Sequence, residues 1–170
     1  MIEGVSNMIA LKILDIKEMM NQLLIGTVFD SLELTEAVIT TFNTFSIDGK
    51  IKRAFYDTDE CALLDQSNQQ YSLWKDIKPY CYSIIRGKKT PVSFKIIFQP
   101  PVSRQQEFSQ KYHTPEIGGM YLNFQYRNKE LICTTGLSLK TFIPDKAPEQ
   151  QWDQIVIDFF RRCSIAFEML

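Results

Sequence analysis

One alternating segment in the second half of the chain constrains the fold more than any other feature. Within residues 120–142, Leu122 and Phe124 alternate with residues of the opposite face, as expected of a strand with one buried side. Asn128 and Lys129 follow as turn residues, and a second β-rich run comes directly after them. The segment therefore predicts a long β-hairpin, and with it an antiparallel sheet.

Three other segments have the apolar spacing of amphipathic helices. The first follows Asp15, a candidate N-cap, and stops at Gly26, a candidate C-terminal glycine. The second covers residues 73–85 and contains Pro79, which predicts a kink or a late start. The third follows Pro148, a residue that suits a first helical turn. These segments predict about three helices.

The remaining segments favour strands and loops. Residues 31–56 are rich in β-branched and aromatic side chains and predict two or three antiparallel strands, with Asp48 and Gly49 as a hairpin turn. Residues 91–99 form a nearly continuous apolar run, typical of a central strand. Two polar segments, 57–70 and 100–119, are expected to be loops with no more than a helical turn each.

The order of these elements predicts an α+β fold. We expect a mostly antiparallel sheet with helices on one face, in the order β-α-β-β-(β)-α-β-β-β-α. The length of 170 residues fits one domain. We assign that domain to residues 8–170 and expect 1–7 to be a loose leader, because the periodic pattern begins at Met8.

Composition narrows the range of functions. The formal net charge of −1 lacks the basic excess that is usual in a dedicated nucleic-acid binder. No apolar run approaches the roughly 18 residues of a membrane span, and no secretory signal pattern is present at the N-terminus. These features predict a cytoplasmic protein that does not bind membranes.

The four cysteines do not have the spacing of a metal or redox motif. Such motifs need two thiols a few residues apart, whereas Cys61, Cys81, Cys133 and Cys163 are far from one another in sequence. We therefore interpret them as reduced, mostly buried thiols, and we predict no metal and no cofactor.

A "GKKT" sequence at residues 87–90 resembles a phosphate-binding loop but lacks its pattern. The upstream glycine of such a loop is replaced by Tyr82, and the segment is expected to lead from a helix into a strand. We interpret Gly87 as the end of a helix with a basic last turn. The basic residues remain a candidate contact with a polyanion or a partner, if the clusters share a face: Arg86, Lys88 and Lys89, together with Lys50, Lys52 and Arg53.

Few residues are candidates for catalysis. His113 is the only histidine and falls in a polar segment, where no local signature pairs it with a nucleophile. Asp57, Asp59 and Glu60 form the densest acid cluster, which either chelates magnesium or caps a helix, and helix capping is the preferred interpretation.

The chain also resembles a known family. The segments that carry the resemblance are "TTFNTFSIDG", "LWKDIKPYCYSIIRGKKTPVSFKIIFQ", "CTTGLSLKTF" and "WDQIVIDFFRRCSIAFE". They resemble a domain of unknown function from anaerobic Gram-positive bacteria of the clostridial group, over nearly all of residues 8–170. The resemblance implies a cytosolic bacterial protein, and it brings no activity and no assigned site residues.

The predicted element order is similar, at the level of fold alone, to the repeated unit of DNA sliding clamps. In a clamp, basic residues on the helices face DNA. The first predicted helix offers Lys12 and Lys17 nearby, against Asp15 and Glu18, and this mixture of charges counts against a close functional equivalence with a clamp.

The lack of a catalytic signature favours a non-catalytic binding or regulatory domain directed at a protein partner. The alternatives are a clamp-like factor associated with nucleic acid and an uncharacterised enzyme.

Overall fold

A seven-stranded antiparallel sheet organises the protein. The computed structural model describes residues 6–170. The strands are β1 (Ser6–Ile13), β2 (Glu33–Thr40), β3 (Thr44–Asp48), β4 (Ser93–Gln99), β5 (Ile117–Arg127), β6 (Glu130–Leu139) and β7 (Phe167–Met169). Their order across the sheet is β3-β2-β4-β5-β6-β1-β7, and each neighbouring pair is antiparallel.

Five α-helices accompany the sheet in the described residues. They are α1 (Ile16–Leu24), α2 (Thr58–Ser67), α3 (Trp74–Ile85), α4 (Val102–Lys111) and α5 (Ala147–Arg162). The predicted α+β class and antiparallel sheet are confirmed. The prediction of about three helices was wrong, and so was the element order, which is β-α-β-β-α-α-β-α-β-β-α-β.

The two helices that the sequence did not predict have weak apolar patterns. None of the side chains of α2 is buried, and the helix is fixed instead by a capping box in which Asp57 and Glu60 bond each other's backbone N–H. Helix α4 has one buried side chain, Phe108. A helix that buries so little apolar surface leaves almost no periodic signal in the sequence.

The β5–β6 hairpin forms as predicted. Asn128 and Lys129 connect the strands with φ values of 53° and 63°. Two successive residues in the left-handed region match the right-handed twist of the flanking strands. Alternate β5 residues, Leu122 and Phe124 among them, are buried on one face of the sheet.

The predicted hairpin turn at Asp48 and Gly49 was wrong. Strands β2 and β3 are joined earlier, by residues 41–43, and Gly49 leaves β3 toward α2. The glycine is required by a close approach, since a Cβ atom there would lie 1.7 Å from the carbonyl oxygen of Leu34. The glycine of this Asp-Gly pair is therefore needed where two backbone segments pass close to each other. Local turn preferences do not distinguish this situation from a hairpin turn.

The core lies on the sheet face that α3 and α5 cover. The ring of Trp74 on α3 packs edge-on to Phe98 of β4, with centroids 5.0 Å apart. Phe160 on α5 stacks near Phe124 of β5 at 6.1 Å. Between them, Phe29 from the α1–β2 connection contacts Phe98 and Phe124. Burial of such aromatic side chains is the main source of stability in a fold of this kind.

The ends of α1 and α3 can be compared with the predicted helix boundaries. Asp15 caps α1 by accepting a hydrogen bond from the Glu18 N–H, as expected. Helix α3 runs through Pro79 as one helix and ends at Ile85. Gly87 follows with φ +150° at the predicted end of the helix. Arg86 is the C-cap residue of α3, and Lys88 and Lys89 come after the glycine, so the predicted basic last turn is absent from α3.

The predicted leader, residues 1–7, falls mostly outside the described residues. Within the described part, Ser6 and Asn7 belong to β1 and pair with Leu137 and Gly136 of β6. No helix in residues 6–170 is both long enough and apolar enough to cross a membrane.

Candidate functional site

A cleft of about 490 Å³ opens between α4 and α5. Its floor is formed by Met120 and Leu122 of β5, on the same sheet face as the core. The segment that connects α1 to β2 closes one side with Val28, Ser31 and Leu32. The cleft is thus an extension of the core that is left open between two helices.

Helix α5 supplies an apolar wall. Trp152, Ile155, Val156 and Phe159 recur at steps of three and four residues, so they lie on one face of the helix. The indole N–H of Trp152 donates a hydrogen bond of 3.1 Å to the carbonyl oxygen of Tyr121, which fixes the ring against β5. Ile155 remains 37% exposed.

Helix α4 supplies the opposite, mostly polar wall. Arg104, Glu107, Phe108 and Lys111 share one face of the helix and line the cleft. Phe108 is buried and packs on Tyr112, with ring centroids 4.8 Å apart. The apolar side chains hold α4 in place, while the charged ones stand at the rim.

The α1–β2 connection that borders the cleft is fixed by an ion pair. Lys78 of α3 donates to Asp30 at 2.7 Å and to the carbonyl oxygen of Gly26 at 2.8 Å. The Lys78 side chain is 13% exposed. Phe29 between them is fully buried. The edge of the cleft formed by Val28 and Ser31 is therefore held in one position.

Positive charge dominates the rim. Arg104, Lys111 and Arg162 line the cleft against a single acid, Glu107. In the part of the chain that the structure describes, none of these four side chains takes part in an ion pair. The Nζ atom of Lys111 lies 5.3 Å from the ring centroid of Tyr112. The cations are consequently available to an anion that enters the cleft.

Two carboxyl groups whose pKa is raised by burial lie elsewhere. Glu33 at the start of β2 is 2% exposed, and burial raises the pKa of its carboxyl group. Asp153 on α5 accepts a 2.6 Å hydrogen bond from the hydroxyl of Thr135, and burial likewise raises its pKa. Neither side chain lines the cleft.

The predicted basic cluster of Lys50, Lys52 and Arg53 lies beyond β3. Lys52 pairs with Asp48 at 2.6 Å, and Arg53 pairs with Asp65 of α2 at 2.9 Å. Lys50 is exposed, and its backbone N–H bonds the Asp48 carboxylate. The three cations are near the end of β2 where the Gly49 N–H bonds the carbonyl of Thr35.

The second basic cluster, Arg86, Lys88 and Lys89, lies at the opposite end of β2. The Val92 N–H, which follows this cluster, bonds the carbonyl oxygen of Thr40. Thr35 and Thr40 are separated by roughly 16 Å along the strand, at ~3.3 Å per residue. The structure does not bring the two clusters together, and the predicted contact of either one with a polyanion or a partner stays a prediction.

The other candidate residues occupy structural positions. His113 is exposed in the turn after α4, with φ 51°. Asp57 and Glu60 cap α2, and Asp59 lies in its first turn. Within residues 6–170, no group of three His, Cys, Asp or Glu side chains is placed to hold a metal ion.

The sequence interpretation missed the cleft because it treated 100–119 as a loop. That prediction was wrong, since α4 fills half of the segment. A signal was present: Arg104, Glu107, Phe108 and Lys111 have the spacing of one helical face. The structure also places Arg162, which lies in the last turn of α5, on the cleft.

The fold and the cleft together define an α+β domain with a pocket of small-molecule size. A family model described as a family of unknown function, DUF5721, matches residues 22–168, and the chain belongs to this family. No curated protein and no solved structure matches the chain.

Proposed function

We propose that this protein is a non-catalytic binding domain and that the cleft between α4 and α5 takes a small molecule with an apolar body. The observation that carries the proposal is the apolar wall of α5, on which Ile155 stands 37% exposed over an open cleft of about 490 Å³. Clefts of roughly 300–1,000 Å³ with mostly apolar linings are the usual sites for small ligands.

The lining residues support binding over catalysis. Glu107 is the one acid among them, and the lining contains neither a histidine nor a cysteine in the described part of the chain. The hydroxyl groups of the set belong to Ser31 and Tyr112, and the described lining places no histidine beside either of them. Nucleophilic and acid–base mechanisms need a nucleophile and a base within hydrogen-bonding distance of each other.

The free thiols support a cytoplasmic location as part of the same proposal. Cys81 and Cys133 are buried, Cys61 and Cys163 are half-buried, and all four are unpaired. Free cysteines in this number are typical of a reducing compartment.

An environment-sensitive fluorescent probe that is uncharged and apolar tests the cleft. We expect the probe to bind the wild-type protein and Ile155→Gln to weaken it by about tenfold, which corresponds to roughly 1.4 kcal/mol. Ile155 is partly exposed, so the substitution should leave the thermal midpoint nearly unchanged. The matched control is Leu63→Gln, which changes an exposed leucine on α2, outside the cleft.

Equal binding to wild-type protein and to Ile155→Gln would exclude this cleft as the site. Absence of binding to the wild-type protein would contradict the proposed function itself. The hypotheses of a clamp-like factor and of an enzyme stay predictions, and no contact in the described residues favours either one.

A further inference from the structure

We propose that the ligand of the α4–α5 cleft is an anionic amphiphile, with a carboxylate or phosphate head bound between Arg104 and Arg162 and an apolar tail along α5. This inference rests on the proposed function, because it assigns the chemistry of a ligand to the same cleft.

The charge of the ligand follows from the rim. Three cations, Arg104, Lys111 and Arg162, face the cleft with one acid, Glu107. Arginine side chains present several N–H donors in a planar fork that matches carboxylate and phosphate oxygens. A neutral ligand would leave those donors to water, whereas an anion above an apolar floor would be bound by them in a partly desolvated site.

Arg104 lies at the end of the cleft next to the α1–β2 connection. Helix α4 begins shortly after Gln99, and Gln99 pairs with Glu33 at the start of β2. Ser31 and Leu32 directly precede Glu33 and line the cleft. Because Arg104 is in the first turn of α4, its side chain emerges close to this connection.

Arg162 reaches the same end from α5. It follows Phe159 by three residues, so the two share a face of the helix. The ring of Phe159 contacts Phe29 edge-on, with centroids 5.5 Å apart. Arg104, Arg162 and the exposed hydroxyl of Ser31 therefore surround one end of the cleft and form the head site.

The tail has an apolar path away from this end. Trp152 lies ten residues before Arg162, which is about 15 Å along the helix. Met120 and Leu122 form the floor below, and Val156 lies on the same wall as Trp152. A linear chain attached to a head at Arg162 would be covered along this path. Lys111 is about 10 Å from Arg104 along α4 and stands beside the tail.

The experiment compares four ligands that share one alkyl chain. Decanoate, decyl phosphate, decanol and decylammonium are titrated calorimetrically, below their aggregation concentrations, into the full chain. We expect the two anions to bind at least about tenfold more tightly than decanol, and decylammonium to bind most weakly. The comparison of decanoate with decyl phosphate distinguishes a carboxylate head from a phosphate head.

Variants then locate the head. Arg104→Ala and Arg162→Ala are each expected to weaken decanoate about tenfold and to leave decanol unchanged. Lys111→Ala should have a smaller effect on decanoate. The matched control is Arg161→Ala, which removes the neighbouring exposed cation outside the cleft and should change neither ligand.

Each contrary result has a distinct meaning. If decanol and decanoate bind equally and Ile155→Gln weakens both, the anionic head is overturned while the proposed function stands. The anionic head is likewise overturned, and the proposed function stands, if the uncharged probe binds and none of the four alkyl ligands does. If decanoate binding survives both arginine substitutions, or if decanol affinity falls with them in parallel, the head site is overturned. If neither the probe nor any of the four alkyl ligands binds, both the head site and the proposed function are overturned.

Discussion

The side-chain amide of Gln99 donates a hydrogen bond of 3.2 Å to the carboxylate of Glu33, across the paired strands β2 and β4. Both side chains are buried. Burial raises the pKa of the Glu33 carboxyl group, and the hydrogen bond from Gln99 opposes that shift in part. An acid whose pKa is raised on folding stabilises the folded state when protonated. That contribution is present below its unfolded pKa and is lost as pH rises through the folded value.

Glu33→Gln should therefore remove a pH-dependent penalty. We expect the free energy of unfolding of the variant, relative to wild type, to increase as pH rises from about 4 to about 8. Urea denaturation at several pH values measures this difference. Glu36→Gln on the same strand is the control, since Glu36 is half-exposed and pairs with Lys95. Parallel profiles of wild type and Glu33→Gln would contradict the prediction.

Gly49→Ala should be severely destabilising. The new Cβ atom would lie 1.7 Å from the carbonyl oxygen of Leu34, and backbone cannot move away as a flexible side chain does. We expect a loss of more than about 3 kcal/mol, or failure to fold. Gly118→Ala is the control, because its Cβ atom would meet the Ser138 hydroxyl at 3.3 Å, and a loss within about 1 kcal/mol is expected. Chemical denaturation compares the two, and equal losses would contradict the close approach.

Lys78→Met should destabilise the edge of the cleft. It removes the partner of Asp30, whose side chain is 22% exposed, and leaves the Gly26 carbonyl without its lysine donor. We expect a loss of about 1–3 kcal/mol. Lys95→Met breaks an exposed pair with Glu36 of similar length, and its cost should stay within about 1 kcal/mol. Thermal unfolding of both variants provides the test, which fails if Lys95→Met proves as costly as Lys78→Met.

The four thiols should react at different rates with iodoacetamide. Burial raises the pKa of Cys81 to about 12 and that of Cys133 well above its usual value, so neither forms the reactive thiolate near neutral pH. Cys163 is half-buried, and burial raises its pKa despite the neighbouring Arg162. Cys61 is on α2, which buries no side chain.

We expect Cys61 to be alkylated first in the native protein, and Cys81 and Cys133 only after unfolding. Peptide mapping by mass spectrometry gives the order directly. Labelling in urea serves as the control that all four sites are chemically competent. Rapid native alkylation of Cys133 would contradict the burial of the sheet face on which it lies.

Elements with a local signal were predictable from the sequence. The β5–β6 hairpin has alternation in both strands and turn residues that accept positive φ, and α1 has an N-cap at Asp15. Strand β4 was expected to be central from its apolar run, and it lies between β2 and β5. In each case the residues that form the element also carry the information, so no distant contact is needed to interpret them.

The elements that were missed have local signals that are weak or that fit more than one structure. Helix α2 is fixed by its capping box and buries no side chain. Phe108 is the one buried side chain of α4. The Asp48-Gly49 pair has the composition of a hairpin turn, yet its glycine is needed because the backbone of β2 passes within contact distance. A sequence window contains no trace of that neighbour.

The amino-acid sequence by itself determined the α+β class, the antiparallel pairing and the apolar face of α5, because hydrophobic periodicity and turn conformation are local properties. The tertiary structure alone decided what that apolar face meets. Residues 155 and 159 would have been core positions under a covering helix, but α4 packs at a distance from α5 and leaves a cleft. It also decided that Arg104 and Arg162, far apart in the chain, share that cleft, while the two basic clusters lie at opposite ends of β2. Charge becomes a site only where the fold brings it together over a surface that excludes water.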